Sequence, residues 1–486
     1  MPIARDLLAQ LPAVVGVAGA APLLPHALVR YLPGRRAVLR GEWNGRAVYA
    51  KWFFGKHASR HALRDQRGVE WLTQAQLATP ALLHSGTIMD STDRILIFAE
   101  IPGQSVETLW PDLTPGQRIG MARQLVTEVA RHHRAGLMQT DLYLKNFLLH
   151  GDQLVTLDGD GVRRLPVLRA AHTAWQNLAL LLSKFEVDDQ AQWLPALLEA
   201  YCGVRDCKPI ALDKLRIRVE RERHRVIDHY AEHKVFRACS DVSVSREWGG
   251  FSAQMRDVFA QPLTIAQMED ALRAGHPLKR GNTCTVSRAM IGGRKVVVKR
   301  YNIKHWLHGL SRLFRRSRAS VSWANAHRLR MHGIATAMPL ALVERRFGPC
   351  RLQAYFVADY IMAPDMAAWM ADRAIDPQDK ETAAMGLARL MHRLRLLQIS
   401  HGDMKATNLH VHGVQPILID LDSMRHERGR RSFERQHVRD LQRLLRNWAD
   451  RPHIQRMVAR ALQQTYGDDP LLQRAGVVVG MNSENR

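Results

Sequence analysis

Two stretches of this chain share one acidic layout: "QTDLYLKNFLLHGDQLVTLDGD" from Gln139 to Asp160, and "HGDMKATNLHVHGVQPILIDLD" from His401 to Asp422. In each, an Asp is followed five residues later by an Asn, twelve residues after that by an Asp, and two further on by another. Asp141, Asn146, Asp158 and Asp160 thus map onto Asp403, Asn408, Asp420 and Asp422 at a constant offset of 262. A gap-free run of matched positions points to a repeated unit. Between the Asn and the following Asp lie two short apolar pieces separated by a turn, "LHVH" and "PILID" in the second copy. They predict a small hairpin that holds Asn408 and Asp420 side by side. An amide oxygen and a carboxylate so placed are hard donors, the kind Mg²⁺ takes together with phosphate and water. The preceding Asp is placed to orient or deprotonate a hydroxyl, so the set suits phosphoryl transfer.

Working outward, each copy has the same lead-in. Gly45–Phe53, ending in "VYAKWF", and Gly293–Tyr301, ending in "VVVKRY", read as apolar strands carrying one central Lys each, Lys51 and Lys299. A helical stretch follows, then "TPALL" or "TAMPLAL", then another strand. A long amphipathic helix comes next, about Pro115–Ala135 and Pro377–Gln398. Glu70 lies nineteen residues after Lys51 in that helical stretch, where the resemblance described below implies the ion-pair partner of the Lys. Aligning "QLAT" with "GIAT" puts His327 opposite Glu70, which leaves Lys299 without an evident acid. The basic stretch Leu212–Ser240 reads as a helix closing the first unit. Gly249, Gly250 and Pro262 punctuate the segment after it. The expected organisation is a first domain over 1–245, a linker over 246–270 and a second domain over 271–486.

"HGDMKATN…LID" resembles the catalytic loop and metal-binding Asp of the protein-kinase-like superfamily. "HHRAGLMQTDLYLKNFLL" (His132–Leu149) and "KVVVKRYNIKHWLHGLSRLFRRSRA" are similar to the bacterial lipopolysaccharide core kinases, the Kdo/heptose kinase family. The resemblance covers most of both halves. It implies an α+β fold of two tandem protein-kinase-like bilobal domains, each with a small antiparallel sheet and a helical lobe. It also implies ATP and Mg²⁺. Asp141 and Asp403 would be the catalytic Asp residues, with Lys405 near the transferred phosphate. Asn146, Asp158, Asn408 and Asp420 would hold the metal. Lys51, Glu70, Lys299 and Gly281 would face the nucleotide, Gly281 from a turn that departs from the family's Gly-rich loop. Asp440 resembles the helix Asp that braces the catalytic loop. Only twenty residues separate Asp420 from Asp440, too few for a peptide platform, so a small hydroxyl acceptor is expected; the resemblance implies that it is heptose or Kdo of the inner core. Other small-molecule kinases of the aminoglycoside or choline type, and a non-catalytic scaffold of kinase fold, remain alternatives.

Composition agrees with that class. The 486 residues are 46% hydrophobic and 24% charged, with a net charge of +24 and a pI near 10.5. Such a surface favours anionic partners. With no CxxC finger, RNA-binding aromatic motif or basic zipper, nucleic acid is not expected. The lipopolysaccharide acceptor and the anionic cytoplasmic face of the inner membrane are. Ile303–Arg318 reads as an interfacial helix, and the arginines of Arg425–Arg439 as a clamp for acceptor phosphates. Five cysteines without a CxxC pair suit a reducing, cytoplasmic setting. Asp6 and Pro12 interrupt the mildly apolar N-terminus, which argues against a signal peptide. Oligomeric state is not legible.

Overall fold

The computed structural model describes residues 14–32, 34–256, 258–281, 283–302, 316–347 and 350–477. The chain divides into two compact units, Met1–Arg223 and His224–Arg486. Both are mixtures of helices and small antiparallel sheets, a kinase-like α+β fold. Most of the expected interfacial helix, residues 303–315, lies outside the described residues.

The first unit opens with a five-stranded antiparallel sheet, in spatial order Leu24–Leu32, Arg36–Trp43, Arg46–Phe53, Arg94–Ala99, Leu82–Thr87. Alternation along Arg46–Phe53 buries Val48, Ala50 and Trp52 on one face and leaves Lys51 to the other. The helix Ala58–Gln74 packs through Ala58, Ala62, Val69 and Leu72. A helical part follows. Its first long helix, Pro115–Arg134, starts where Thr114 and Gln117 form a reciprocal capping box with Pro115 in the first turn. Leu125, Val129, Leu178, Leu197 and Tyr201 form its core with the helices Ala170–Leu182 and Val187–Arg205. The short hairpin Phe147–His150 with Gln153–Thr156 lies between.

The second unit begins earlier than the sequence suggests. The helix Leu212–Glu232 does not simply close the first unit. Its first half gives Leu215 and Val219 to the first unit's core. Its second half supplies Asp228 and Glu232, both bound by Arg328 of the second unit, Asp228 at 3.1 Å. The expected linker 246–270 is likewise part of the fold. Val242–Glu247 and Gly250–Met255 form a hairpin that joins the second sheet, and Ile265–Ala274 is a capped helix. Gly249–Gly250 marks the hairpin turn, not a domain break. The sheet therefore has seven strands, continuing Pro339–Phe347, Cys350–Asp359, Arg294–Tyr301, Cys284–Ile291, His276–Arg280. The helix Arg318–Met331 packs on it through Ala319 and Trp323. The helical part again starts with a long helix, Pro377–Leu396, and contains the hairpin Leu409–His412 with Gln415–Leu418.

Candidate functional site

One contact fixes the correspondence between the units. Thr79 donates its hydroxyl to Thr156 O at 3.0 Å, and Thr336 donates to Leu418 O at 2.7 Å. The "QLAT" and "GIAT" segments therefore occupy equivalent places, and residues of the two preceding helices correspond at an offset of 257.

The hairpins assemble the acidic-amide set as the spacing requires. Leu157 N donates to Asn146 O at 2.9 Å, and Ile419 N donates to Asn408 O at 2.9 Å. Each Asn thus lies beside the residue next to Asp158 or Asp420. Asn146 Nδ2 donates to Asp141 O at 2.7 Å, and Asn408 Nδ2 to Asp403 O at 2.9 Å. Both bonds commit the amide nitrogen to the backbone and leave the amide oxygen as the hard donor.

The loop that carries Asp403 in the second unit is braced from below. Asp440, buried on the helix Arg430–Arg446, accepts from His401 N at 2.7 Å and Gly402 N at 3.1 Å. Gly402 has φ +80°, and a Cβ there would stand 3.0 Å from Ser423 O, so the position before Asp403 calls for glycine. His401 contacts Ile419 O at 3.1 Å, tying the loop to the strand before Asp420. In the first unit Asn177 Nδ2 donates to Gln139 O at 2.8 Å, and Gln139 Nε2 donates to Asp158 O at 2.8 Å. His133 contacts Asn177 Oδ1 at 3.0 Å and Tyr201 OH at 2.7 Å; burial lowers its pKa to about 3.

The two Lys residues differ in their partners. In the first unit Lys51 Nζ lies 2.7 Å from Asp65 and 3.1 Å from Asp158. Glu70, the partner expected from spacing, instead accepts from Gln66 at 2.8 Å on the exposed face of the same helix. The apolar stripe would have found the right acid. Asp65 falls in register with Ala62, Val69 and Leu72 and is fully buried, whereas Glu70 falls off that face. Burial opposes ionisation of both carboxyls. It pushes Asp65 up against the pull of Lys51, whereas at Asp158 Lys51 and Arg36 outweigh it and hold the group well below the usual carboxylate range. Asp141 is raised by burial and by Asp158, with Lys145, Lys184 and Arg30 opposing.

A glycine pair sets this geometry. A Cβ on Gly68 would lie 2.0 Å from Gly159 O, and one on Gly159 would lie 2.3 Å from Asp65 O. The backbones of the helix and of the loop after Asp158 touch there, which brings Asp65 and Asp158 to one Lys. In the second unit the equivalent of Gly68 is Asn325. Its Nδ2 donates to Leu421 O and Met424 O, both at 2.9 Å. The equivalent of Asp65 is Ser322, bonded to Tyr301 OH at 2.9 Å. With no helix acid, Lys299 binds Asp420 Oδ1 and, at 2.9 Å, Asp422 Oδ2. Arg318 joins Asp422 at 2.9 Å. Burial opposes the charge on Lys299, but Tyr301, Asp420 and Asp422 outweigh it and raise its pKa. His327 is no Lys partner: it packs edge-on against Trp323 at 4.3 Å, and burial lowers its pKa to about 3.

Of the remaining candidates, Lys405 reaches the Asp403 carboxylate at 3.0 Å. Lys145 lies over the Tyr143 ring at 5.2 Å. Gly281 sits in the turn before Cys284–Ile291 and donates its N–H to Cys284 O at 3.1 Å. Arg430, at the start of its helix, donates to Glu434 at 2.9 Å.

The two Asn–Asp sets also differ. In the second unit Asp420 is part-exposed, with 30% of its side chain open, and Lys299 engages only its Oδ1. Asn408 and Asp420 fit a divalent cation that a nucleotide phosphate completes. In the first unit Asp158 Oδ1 faces Lys51 at 3.1 Å and Oδ2 faces Arg36 at 3.6 Å. Asp160 is bound by Arg64 and, at 2.9 Å, by Arg35. Asn146 and Asp158 are adjacent as expected, yet cations already face both carboxylate oxygens, so this set does not fit a metal ion.

A braced Asp, an Asn and Asp across a hairpin, and a strand Lys joined to that Asp form an arrangement suited to phosphoryl transfer. Residues 269–466 match the model of the Lipopolysaccharide kinase (Kdo/WaaP) family. This stretch, within the second unit, is similar to that family. Among curated proteins none matches the chain. No helix of the described residues is long and apolar enough to cross a membrane.

Proposed function

We propose that this protein uses ATP to phosphorylate a sugar hydroxyl, on heptose or Kdo, of the lipopolysaccharide inner core, and that the second unit performs the transfer. The observation that carries this is the assembly of Asp403, Asn408, Asp420 and Lys299 in one unit that also matches the family. Asp403 orients the acceptor hydroxyl and takes its proton. Lys405, 3.0 Å from that carboxylate, offers a positive charge to the phosphoryl group in transit. Lys299 leaves its carboxylates to pair with nucleotide phosphates. Asn408 and Asp420 would hold Mg²⁺, which would supply charge neutralisation on the phosphate oxygens. Gly402 and Asp440 fix the loop, so Asp403 needs no reorganisation during the reaction.

The net charge of +24 draws the protein to an anionic glycolipid at the cytoplasmic membrane face. Arg430 and Arg431 follow Asp420 at the start of a helix, and their charge would favour acceptor phosphates. The first unit is a second kinase-like unit, and its cation-filled carboxylates favour a non-catalytic role for it. The test is mass spectrometry of lipopolysaccharide from cells carrying Asp403→Asn or Asp141→Asn singly. Loss of core phosphate with Asp403→Asn and retention with Asp141→Asn is the expected result. An unaltered phosphate count with Asp403→Asn refutes the assignment.

A further inference from the structure

We propose that the first unit binds a phosphoryl group without a divalent cation, through the Arg36 guanidinium beside Asp158. Arg36 is 6% exposed. Its nitrogens lie 3.6 Å from Asp158 and 3.7 Å from Asp65, ion-pair distances beyond hydrogen-bond reach. Arg36 Nε and Nη1 and Arg35 Nε are buried and have no hydrogen-bond partner among the described residues. Buried guanidinium donors left unmet call for an acceptor. A guanidinium whose donors lack hydrogen-bond partners matches phosphate oxygens in chemistry and charge.

Charge points the same way. Arg35, Arg36, Lys51 and Arg64 face Asp65, Asp158 and Asp160, four cations against three anions. A divalent ion would add to that excess in a largely buried site, whereas a phosphoryl anion offsets it. The arginine pair is also particular to this unit. Arg36 pairs across the sheet with Phe53, two residues after Lys51. Cys284 pairs with Tyr301, two residues after Lys299. Cys284 and Thr283 therefore stand in the second unit where Arg36 and Arg35 stand in the first, and neither can carry a positive charge.

The ligand is a phosphate ester, and two sources share that chemistry: a nucleotide, or a phosphorylated sugar of the acceptor. The test is calorimetric titration of the full chain in excess EDTA, with ATP in one arm and mannose 6-phosphate in the other. One equivalent per chain of either compound is expected. Binding of ATP alone assigns the site to nucleotide, and binding of the sugar phosphate alone assigns it to the acceptor. Arg36→Cys, which copies the second unit, should weaken that binding about tenfold or more. Arg35→Ala, at a side chain 40% exposed, should weaken it in a fold left intact. Asp420→Asn should leave the EDTA-resistant site unchanged and abolish Mn²⁺–ATP binding, read by electron paramagnetic resonance. That arm tests the second unit separately, so the two readings fail independently. The proposal is overturned if neither compound binds in EDTA, or if binding survives both arginine substitutions.

Discussion

Replacing Asp65 by Asn should destabilise the first unit far more than removing Glu70, although spacing favours Glu70 as the partner of Lys51. Asp65 is fully buried and holds Lys51 at 2.7 Å, and the Lys side chain is itself only 12% exposed. Removing one member of a buried ion pair costs about 3–5 kcal/mol, because the other charge is left uncompensated. Asp158, still 3.1 Å from Lys51, retains part of the compensation, so the lower figure of about 3 kcal/mol applies. For a unit of this size each kcal/mol moves Tm by about 2–4 °C, giving a fall of about 6–12 °C. Glu70 accepts one surface bond from Gln66, so Glu70→Ala should stay within about 0.5 kcal/mol. Thermal unfolding of the full chain, followed by circular dichroism and scanning calorimetry, gives the first unit's transition in each variant. Equal shifts for the two variants, or a larger one for Glu70→Ala, would refute the reasoning and restore Glu70 as the partner.

Gly159→Ala should lower the same transition by about 1–3 kcal/mol, since the new Cβ, 2.3 Å from Asp65 O, must push the Asp65 helix away; scanning calorimetry reads it, and no shift would mean the backbones do not touch. Asn325→Ala should cost the second unit about 1–3 kcal/mol by leaving two buried carbonyls, of Leu421 and Met424, without their donor; it should also lower phosphotransfer, because the segment it holds includes Asp422. Stability of both units should fall as pH drops below about 6.5. His133, His327 and His437 have folded pKa values lowered to about 3 by burial, so between that value and about 6.5 the unfolded chain binds more protons. The stability they contribute is complete above the unfolded pKa and is lost on acidification, by about 2 kcal/mol per histidine at pH 5. Urea titrations at pH 7.5 and pH 5 check this, and equal midpoints would show that the three imidazoles are hydrated.

Much of the site was written locally. The five-residue step from Asp to Asn and the twelve-residue step to the next Asp specify a tight loop and a two-strand hairpin. Those are short-range geometries that few alternatives satisfy, and the Asn–Asp adjacency followed in both units. Alternation placed Lys51 and Lys299 on one sheet face, and capping residues set the starts of Pro115–Arg134 and Pro377–Leu396. Tertiary packing decided the rest. Which acid meets Lys51 depends on the close approach of Gly68 to Gly159, two residues ninety-one positions apart. That Lys299 turns to Asp420 and Asp422 follows from Ser322 standing where Asp65 stands. The strands at 242–255 join the second sheet because Gly250–Gln254 pairs with Ala341–Arg345, a long-range pairing that local turn residues do not encode. Spacing along a chain fixes what neighbouring residues can do together; burial and charge compensation between distant segments select which of several acids is paired and which is left to bind.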